Sequence, residues 1–472
     1  MIRNSALVLL LFFFGCSLTS NKEDEEKGKS ARLAEIADNI AIQYHEMGWF
    51  SGSVLITKDD KEIFLSSYGF QNIEEKIKNS SQSRFNLGSI VKDFTTVLIL
   101  QQVEAGNLRL SDKLVSFTLG FKQPHADEIK IEHILNHSAG FADIFVAEYR
   151  EKPLVFDALD KKLHLLIDSP LLFTPGTDHQ YSNYGYVVLG VILEKVTGKS
   201  FEDLLKNNIF TRAGMTSTTF EPFNSHKNQS VRYTYQYDSA LRKVGVTEHP
   251  SPDGGVESTV GDVQRLYRAL FYSDKILKNS DSRNRRLFAM DGPNWGAYGG
   301  GLGVSAAVEV DLANGYEIVV LANTDHLVAE LISGRILSFL KNGDYEPIRQ
   351  PEKNFAFEYY QTKGKHRLTT HFKQAYSDSG YKQFIGRTVN ELGMELLKTG
   401  SWAEAFDMFD YLVSLFPDAP QVYDSFAFAY LSRGDRETAK NTFSKSLAIK
   451  SDFNSDYVSD NYGHNKPLKV RP

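Results

Sequence analysis

Phe85-Asn86-Leu87-Gly88-Ser89-Ile90-Val91-Lys92-Asp93-Phe94-Thr95 sets a serine and a lysine three residues apart at the head of an apolar run. If the run is a helix, Ser89 and Lys92 share one face, about one turn apart. Ser89 then lies near the positive end of that helix, where a developing anion is favoured. A hydroxyl beside a partly desolvated amine is one way to make a serine nucleophile without a histidine. Ile90, Val91, Phe94, Val97, Leu98, Ile99 and Leu100 follow, and the run closes at Gly106. Apolar nearly all round, the helix belongs in the middle of a domain, and the desolvation of its lysine must be compensated. Ser-x-x-Lys alone is weak, expected about twice by chance at this length. Ser379-Gly380-Tyr381-Lys382 fits it too, in a polar stretch without apolar periodicity. Context separates the two.

The chain has 472 residues, 42% hydrophobic and 24% charged. That is an ordinary globular composition with room for several domains. A net charge of -6 with no basic stripe argues against a nucleic-acid partner. Near the start, Arg3 precedes an apolar run over 6–14 that is too short to span a bilayer, and Gly15-Cys16 follows. Residues 1–16 resemble a bacterial lipoprotein signal, with Cys16 lipidated. The expectation is a protein lipid-anchored in the bacterial cell envelope, facing the periplasm or the cell surface. Cys16 is the only cysteine, so no intrachain disulfide can form. Residues 17–30, rich in charge and poor in large apolar groups, read as a linker.

Residues 34–47 read as an amphipathic helix. Residues 52–57 and 63–68 read as strands of a hairpin around Lys58-Asp59-Asp60-Lys61. Helical or mixed patterns run from Ser89 to about residue 270. Strand signals return at 304–310 and 316–322, around Asn314-Gly315, a strong hairpin turn. Strands at both ends with helices between predict an α+β domain over 31–345, an antiparallel sheet flanked by helices. Pro347 and Pro351 mark a boundary, and 346–385 is a linker or carries no assignment, its residues 352–385 being aromatic and polar without clear periodicity. Residues 386–455 hold an internal repeat. Gly393 pairs with Ala427, Leu396 with Tyr430, Gly400 with Gly434, Ala405 with Ala439 and Phe409 with Phe443, each offset by 34. This block resembles a pair of tetratricopeptide repeats, usable as a groove for a protein partner or as a structural cap. Residues 456–472 form a tail.

A second segment, Gln180-Tyr181-Ser182-Asn183-Tyr184-Gly185-Tyr186, leads into another apolar helix ending near Gly198. A Tyr-x-Asn loop ahead of a helix can aim a phenol and a carboxamide at one site. Positive charge beside a phenol favours the phenolate, which can act as a general base; a carboxamide offers a donor and an acceptor to a substrate amide. Such aromatic loops are more often core packing. His133 and His137 stand four apart on a probable helix but lack the glutamate of zinc peptidases, so no metal is expected there. His179 reads as a loop residue. No cofactor is called for.

Residues 85–92, 131–140 (Ile-Glu-His-Ile-Leu-Asn-His-Ser-Ala-Gly), 181–190 and 254–259 (Gly-Gly-Val-Glu-Ser-Thr) follow one another in an order and spacing similar to the serine β-lactamase-related superfamily. That group includes class C β-lactamases, D-alanyl-D-alanine carboxypeptidases, D-aminopeptidases and esterases. The resemblance covers about residues 31–325 and implies a penicillin-binding-protein-like fold and a serine hydrolase. Its substrate would be a small-molecule or peptide amide or ester. Carried over residue by residue, it makes Ser89 the acylated nucleophile, Lys92 and Tyr181 the acid/base groups and Asn183 the group that orients the substrate amide. The Ser89 backbone N–H would be one oxyanion donor.

The third motif departs from the family pattern, which has Lys-Thr-Gly or His-x-Gly. Matched without a gap, Gly296-Ala297-Tyr298-Gly299-Gly300 puts Ala297 where the cation belongs, and a shift of one puts Tyr298 there. Gly299 would be the motif glycine and Gly300 the second oxyanion donor. The interval from Ser258 to Gly296 also reads as short for the family, as if a strand were missing. Two alternatives therefore stand beside the hydrolase: an impaired, ligand-binding pseudoenzyme, and a protein that binds partners through its repeats.

Overall fold

The computed structural model describes residues 15–222, 228–245, 248–278, 293–455 and 457. Strands β1 (Gly52–Lys58) and β2 (Lys61–Tyr68) form a hairpin. Its two-residue turn holds Asp59 and Asp60 at φ 49° and 65°, the left-handed pair that matches strand twist in a tight hairpin. Strands β3 (Asn294–Gly301), β4 (Val304–Asp311) and β5 (Tyr316–Ala322) complete a five-stranded antiparallel sheet in the order β2-β1-β5-β4-β3. The first strand thus pairs with the last, Gly52 opposite Ala322 and Lys58 opposite Tyr316.

The turn expected at Asn314-Gly315 differs. Residues 312–315 form a four-residue loop, and only Gly315 of the pair has positive φ. Asp311 organises it: Oδ1 accepts the N–H groups of Ala313 and Asn314, each at 3.1 Å, and Oδ2 accepts Asn314 Nδ2–H at 2.8 Å. A carboxylate that caps the backbone locally outcompetes the two-residue turn.

Five longer helices accompany the sheet: α1 (Gly15–Glu46), α2 (Val91–Glu104), α3 (Asn183–Thr197), α4 (Val260–Phe271) and α5 (Val328–Asn342). Side chains alternate along the strands, so each face has its own core. Val54, Ile56, Ile318 and Val320 pack with Ala37, Ile40 and Tyr44 of α1 and Ile332 of α5. Leu55, Val308, Val319 and Leu321 face the larger core that contains α2, α3 and α4. The leader expected over 1–16 lies outside the described residues except for Gly15 and Cys16, which open α1. Residues 17–30, expected as a linker, are helical. Lys and Glu are good helix formers, and Glu25–Lys29 is an i,i+4 ion pair at 2.6 Å. The tail expected over 456–472 falls outside the described residues apart from Tyr457. Among the described residues, no helix is long and apolar enough to cross a membrane.

The chain divides into a unit of residues up to Tyr235 with Leu241–Ile348, and a second of Gln236–Ala240 with the residues from Arg349 onward. The second is helical: α6 (Glu352–Asp378), α7 (Ile385–Lys398), α8 (Trp402–Leu415), α9 (Pro420–Ser432) and α10 (Arg436–Ile449). Residues 352–378, to which the sequence pattern assigns no element, are helix. Their apolar side chains Phe372 and Tyr376 join Leu392, Phe409 and Phe426 in one core. The 34-residue offsets fall on α7–α8 and α9–α10, whose turns hold Gly400 at φ 79° and Gly434 at φ 90°. Gly393 is small for a reason, since a Cβ there would lie 2.8 Å from the Phe409 ring.

Helix α6 is broken at Gly364, which has φ 75° and ψ 171°. That region is open essentially to glycine alone. A Cβ at 364 would meet no atom within 4 Å, so the penalty of a side chain there is backbone energy only. Gly364→Ala is expected to destabilise the helical unit by about 1–3 kcal/mol, read as a lowered urea midpoint of the full chain; unchanged stability would exclude this backbone conformation at 364.

Candidate active site

The approach to α2 is held by a short strand pairing, Phe85 opposite Ser258 and Asn86 opposite Glu257. Leu87 N–H donates to Val256 O at 2.9 Å, and Asn86 Oδ1 accepts Gly88 N–H at 2.7 Å. The chain then turns at Gly88, φ 50°, into a single 3-10 turn, Gly88–Ile90, that feeds α2. Ser89 stays partly exposed while Lys92 is only 6% exposed. Helix α2 is buried on nearly every face, as its apolar run predicts.

Ser182 caps α3: its Oγ accepts Gly185 N–H at 3.2 Å and donates to Ala142 O at 2.9 Å. Capping satisfies a free helix donor and fixes the residues on either side. Asp143 accepts Asn183 N–H at 3.2 Å and the Asn183 carboxamide nitrogen at 3.1 and 3.2 Å. That orients the carboxamide so that Asn183 Oδ1 accepts Lys92 Nζ–H at 2.7 Å.

The four sequence-predicted residues converge. Ser89 Oγ and Tyr181 Oη are 2.7 Å apart, and Lys92 Nζ donates to Ser89 Oγ at 3.2 Å. The same ammonium donates to Asp253 O at 2.7 Å and sits 5.0 Å over the Tyr181 ring. Three oxygens thus surround it, as a buried cation requires.

Sequence reasoning missed three contributors. Asp143 carried no local signal. Asp253 stands one residue before the quoted Gly254-Gly255 segment and acts through its carbonyl. His137, noted only for metal spacing, lies with its ring 4.5 Å from that of Tyr181, tilted 30°. Its Nδ1 accepts Ser182 N–H at 3.2 Å. Burial, then the neighbouring charges of Lys92 and His179, lowers its pKa from 6.5 to about 4. His137 is therefore a neutral plate against the phenol at ordinary pH. The His179 ring lies 5.9 Å from it.

Strand β3 forms the opposite wall. A Cβ on Gly299 would lie 2.0 Å from Leu87 O, and one on Gly88 would lie 2.9 Å from Gly300 N. Only glycines allow the backbones to come so close. Ala297, 6% exposed, points into the larger core with Val308 and Val310. Tyr298 points to the other face of the sheet and donates its hydroxyl to Glu309 Oε1 at 2.8 Å. Neither brings a cation to Ser89.

These groups open on a cavity of about 650 Å³ lined by Ser89, Tyr181, Asn183, Gly300, Arg232 and Glu248, among others. Burial pulls the Arg232 guanidinium below its usual range and pushes the Glu248 carboxyl up. A hydroxyl, an ammonium, a phenol and a carboxamide at the edge of such a cavity can carry nucleophilic chemistry on a carbonyl.

Comparison with known proteins gives a concordant result. Penicillin-binding protein 4* of Bacillus subtilis (strain 168) is 30% identical over 250 residues, covering 49% of this chain and 54% of that protein. The chain spans about half the length of the curated relatives it matches. The fold is similar to that of a penicillin binding protein from Bacillus halodurans, at 24% identity and a TM-score of 0.55, covering 63% of this chain and 98% of that one. It is also similar to an octameric penicillin-binding protein homologue from Pyrococcus abyssi, at 21% identity and a TM-score of 0.59, covering 69% and 81%. The Beta-lactamase family model matches residues 37–341, a span that holds the sheet, the heads of α2 and α3 and every residue around Ser89, and the chain belongs to that family.

Proposed function

We propose that this chain is an envelope serine hydrolase that cleaves an amide or ester through an acyl-enzyme on Ser89. One observation carries the reading: Ser89 Oγ lies 2.7 Å from Tyr181 Oη and 3.2 Å from Lys92 Nζ at the edge of the cavity. In this reading Tyr181 reacts as the phenolate beside the Lys92 ammonium: Ser89 Oγ bonds to the carbonyl carbon as its proton passes to Tyr181 Oη, and the carbonyl π bond opens to give an oxyanion. The backbone N–H groups of Ser89 and Gly300 meet that charge. Tyr181 hands the proton to the leaving nitrogen or oxygen, the C–N or C–O bond breaks, and an ester on Ser89 remains. Water activated by the same pair then cleaves the ester and restores the serine. Asn183, held by Asp143, orients the substrate amide.

The proposal extends to Cys16 as the lipidated residue and to 386–455 as tetratricopeptide-like repeats that present a surface to a protein partner. The signal-like flanks of Cys16 and the 34-residue spacing support these parts. A second reading, a ligand-binding pseudoenzyme, is favoured by Ala297, which leaves β3 without a cation beside Ser89.

A fluorophosphonate probe is expected to add one adduct, on Ser89, that is absent in Ser89→Ala. Tyr181→Phe and Lys92→Met should each slow labelling by about 10²–10⁴-fold, followed by intact-protein mass spectrometry alongside turnover of a small ester. An unchanged labelling rate in Tyr181→Phe would exclude the proton relay. An adduct formed with an ester substrate that never hydrolyses would favour the pseudoenzyme.

His137 gives a pH prediction. Its folded pKa, about 4, lies below the usual 6.5, so the unfolded chain takes up the proton first as pH falls, and stability is lost from about 6.5 downward. His137→Asn tolerates the left-handed backbone of this position, φ 55°, and removes the titration. The stability advantage of the native chain over His137→Asn should shrink by about 2 kcal/mol between pH 7 and pH 4.5, measured by urea unfolding. A constant difference would refute it.

A further inference from the structure

Lys162 is a buried charge that the proposed reaction leaves unused. It lies on the short helix Leu159–His164 and is 2% exposed. Its Nζ donates to His249 O at 3.2 Å and sits 5.6 Å over the Tyr149 ring. One carbonyl and one ring are thin compensation for a buried ammonium, and an apolar side chain of similar volume would cost less there. Burial pulls its pKa below the usual lysine range, and the negative charges of Asp253 and then Glu248 oppose that shift. Arg232 in turn faces Glu248 at 3.7 Å. Two cations and two carboxylates are thus balanced around the segment 248–253.

The same segment is tied to the helix that carries Lys92. Thr95 Oγ1 donates to Pro252 O at 2.6 Å, and Lys92 Nζ donates to Asp253 O at 2.7 Å. Helix α3 presses on it as well, since a Cβ on Gly190 would collide with the Pro252 ring. Ser251 N–H donates to Gly254 O at 2.7 Å, and Gly254 N–H donates back to Ser251 O at 3.0 Å, which closes a tight turn over 251–254. Asp253 therefore answers to two buried lysines. Its carbonyl accepts from Lys92, and its carboxylate lies in the field of Lys162. Because Lys92 also donates to Ser89 Oγ at 3.2 Å, a displaced Asp253 is felt at the hydroxyl through a single ammonium.

We infer that Lys162 is a positioning residue for Lys92: through His249 O and the Asp253 carboxylate it holds the 248–253 segment where Asp253 O meets the Lys92 ammonium. Without the Lys162 charge, two carboxylates share one cation. Like charges in a low-dielectric interior then move apart, or one of them takes up a proton. Either way the Asp253 side chain loses what fixes it, and the carbonyl of the same residue loses its register with Lys92. The ammonium is left with two acceptors and is less well placed beside Tyr181 and the Ser89 hydroxyl. A misplaced reacting group slows the chemical step and leaves binding alone. This role rests on the hydrolase reading for the reaction that it serves.

Fluorophosphonate labelling of Ser89 in the full chain, followed against probe concentration, yields a maximal rate and a half-saturating concentration. Lys162→Met is expected to lower the maximal rate about tenfold and to leave the half-saturating concentration unchanged. Lys162→Arg keeps the charge and a donor, and should recover most of the lost rate. In Lys162→Met/Asp253→Asn the remaining charges, Arg232 and Glu248, still pair; this variant stands in if Lys162→Met does not fold, with the same loss expected. A maximal rate equal to the native one overturns the role, as does a loss that Lys162→Arg fails to relieve. A raised half-saturating concentration at unchanged maximal rate also overturns it, since Lys162 would then only shape the cavity. A native chain that takes up no probe defeats the hydrolase reading and this role together, whereas a native chain that labels, matched by Lys162→Met, defeats the role alone.

Discussion

Lys92 bears a charge in the interior of the first unit, and a buried ammonium persists only when its donors are met. Its acceptors come from three segments far apart in the chain: Ser89 Oγ one turn back, Asn183 Oδ1 at the head of α3, and Asp253 O in the 251–254 turn. Leaving one of them out would cost about 1–3 kcal/mol. Satisfying all three brings the head of α2, the head of α3 and the turn into one place. Tyr181 arrives with Asn183 because the Ser182 cap between them fixes both. The convergence of Ser89, Tyr181 and Asn183 and the satisfaction of a buried charge are thus one arrangement.

Much of this is legible along the chain because it is local. Apolar runs behind Ser89 and Asn183 announce two buried helices, and glycines at 106 and 198 close them. β-Branched runs at both ends of the domain announce a sheet formed from its termini. What escapes is long-range or competitive. Asp143 is recognisable only once α3 lies beside it, and His137 reads as a metal spacing until Tyr181 covers its ring. Asn314-Gly315 has the look of a two-residue turn, but Asp311 captures the backbone first. The charged stretch 17–30 lacks apolar periodicity, and helix propensity with an i,i+4 ion pair decides its state. Residues 352–378 hide their periodicity because a glycine breaks the helix midway and shifts the phase.

The third motif shows how a strand can keep its backbone role while losing its side-chain role. Gly299 and Gly300 keep the β3 backbone close against the turn that bears Ser89. Ala297, meanwhile, completes the apolar core with Val308 and Val310. A cation at 297 would have to leave that core or be buried in it, so the family's usual charge and this packing exclude one another. Charged groups lie instead along the cavity wall, at Arg232, Glu248 and Asp253.

The near-contact of Gly299 with Leu87 has a mechanical consequence. With no side chain between the two backbones, there is no rotamer to turn aside and no soft spacer to compress. That jaw of the cleft is rigid. A bulky molecule meets more room at the exposed lining side chains, Phe145 at 40% and Leu302 at 60%. The cleft can thus yield where exposed side chains turn aside, and not where the two backbones meet.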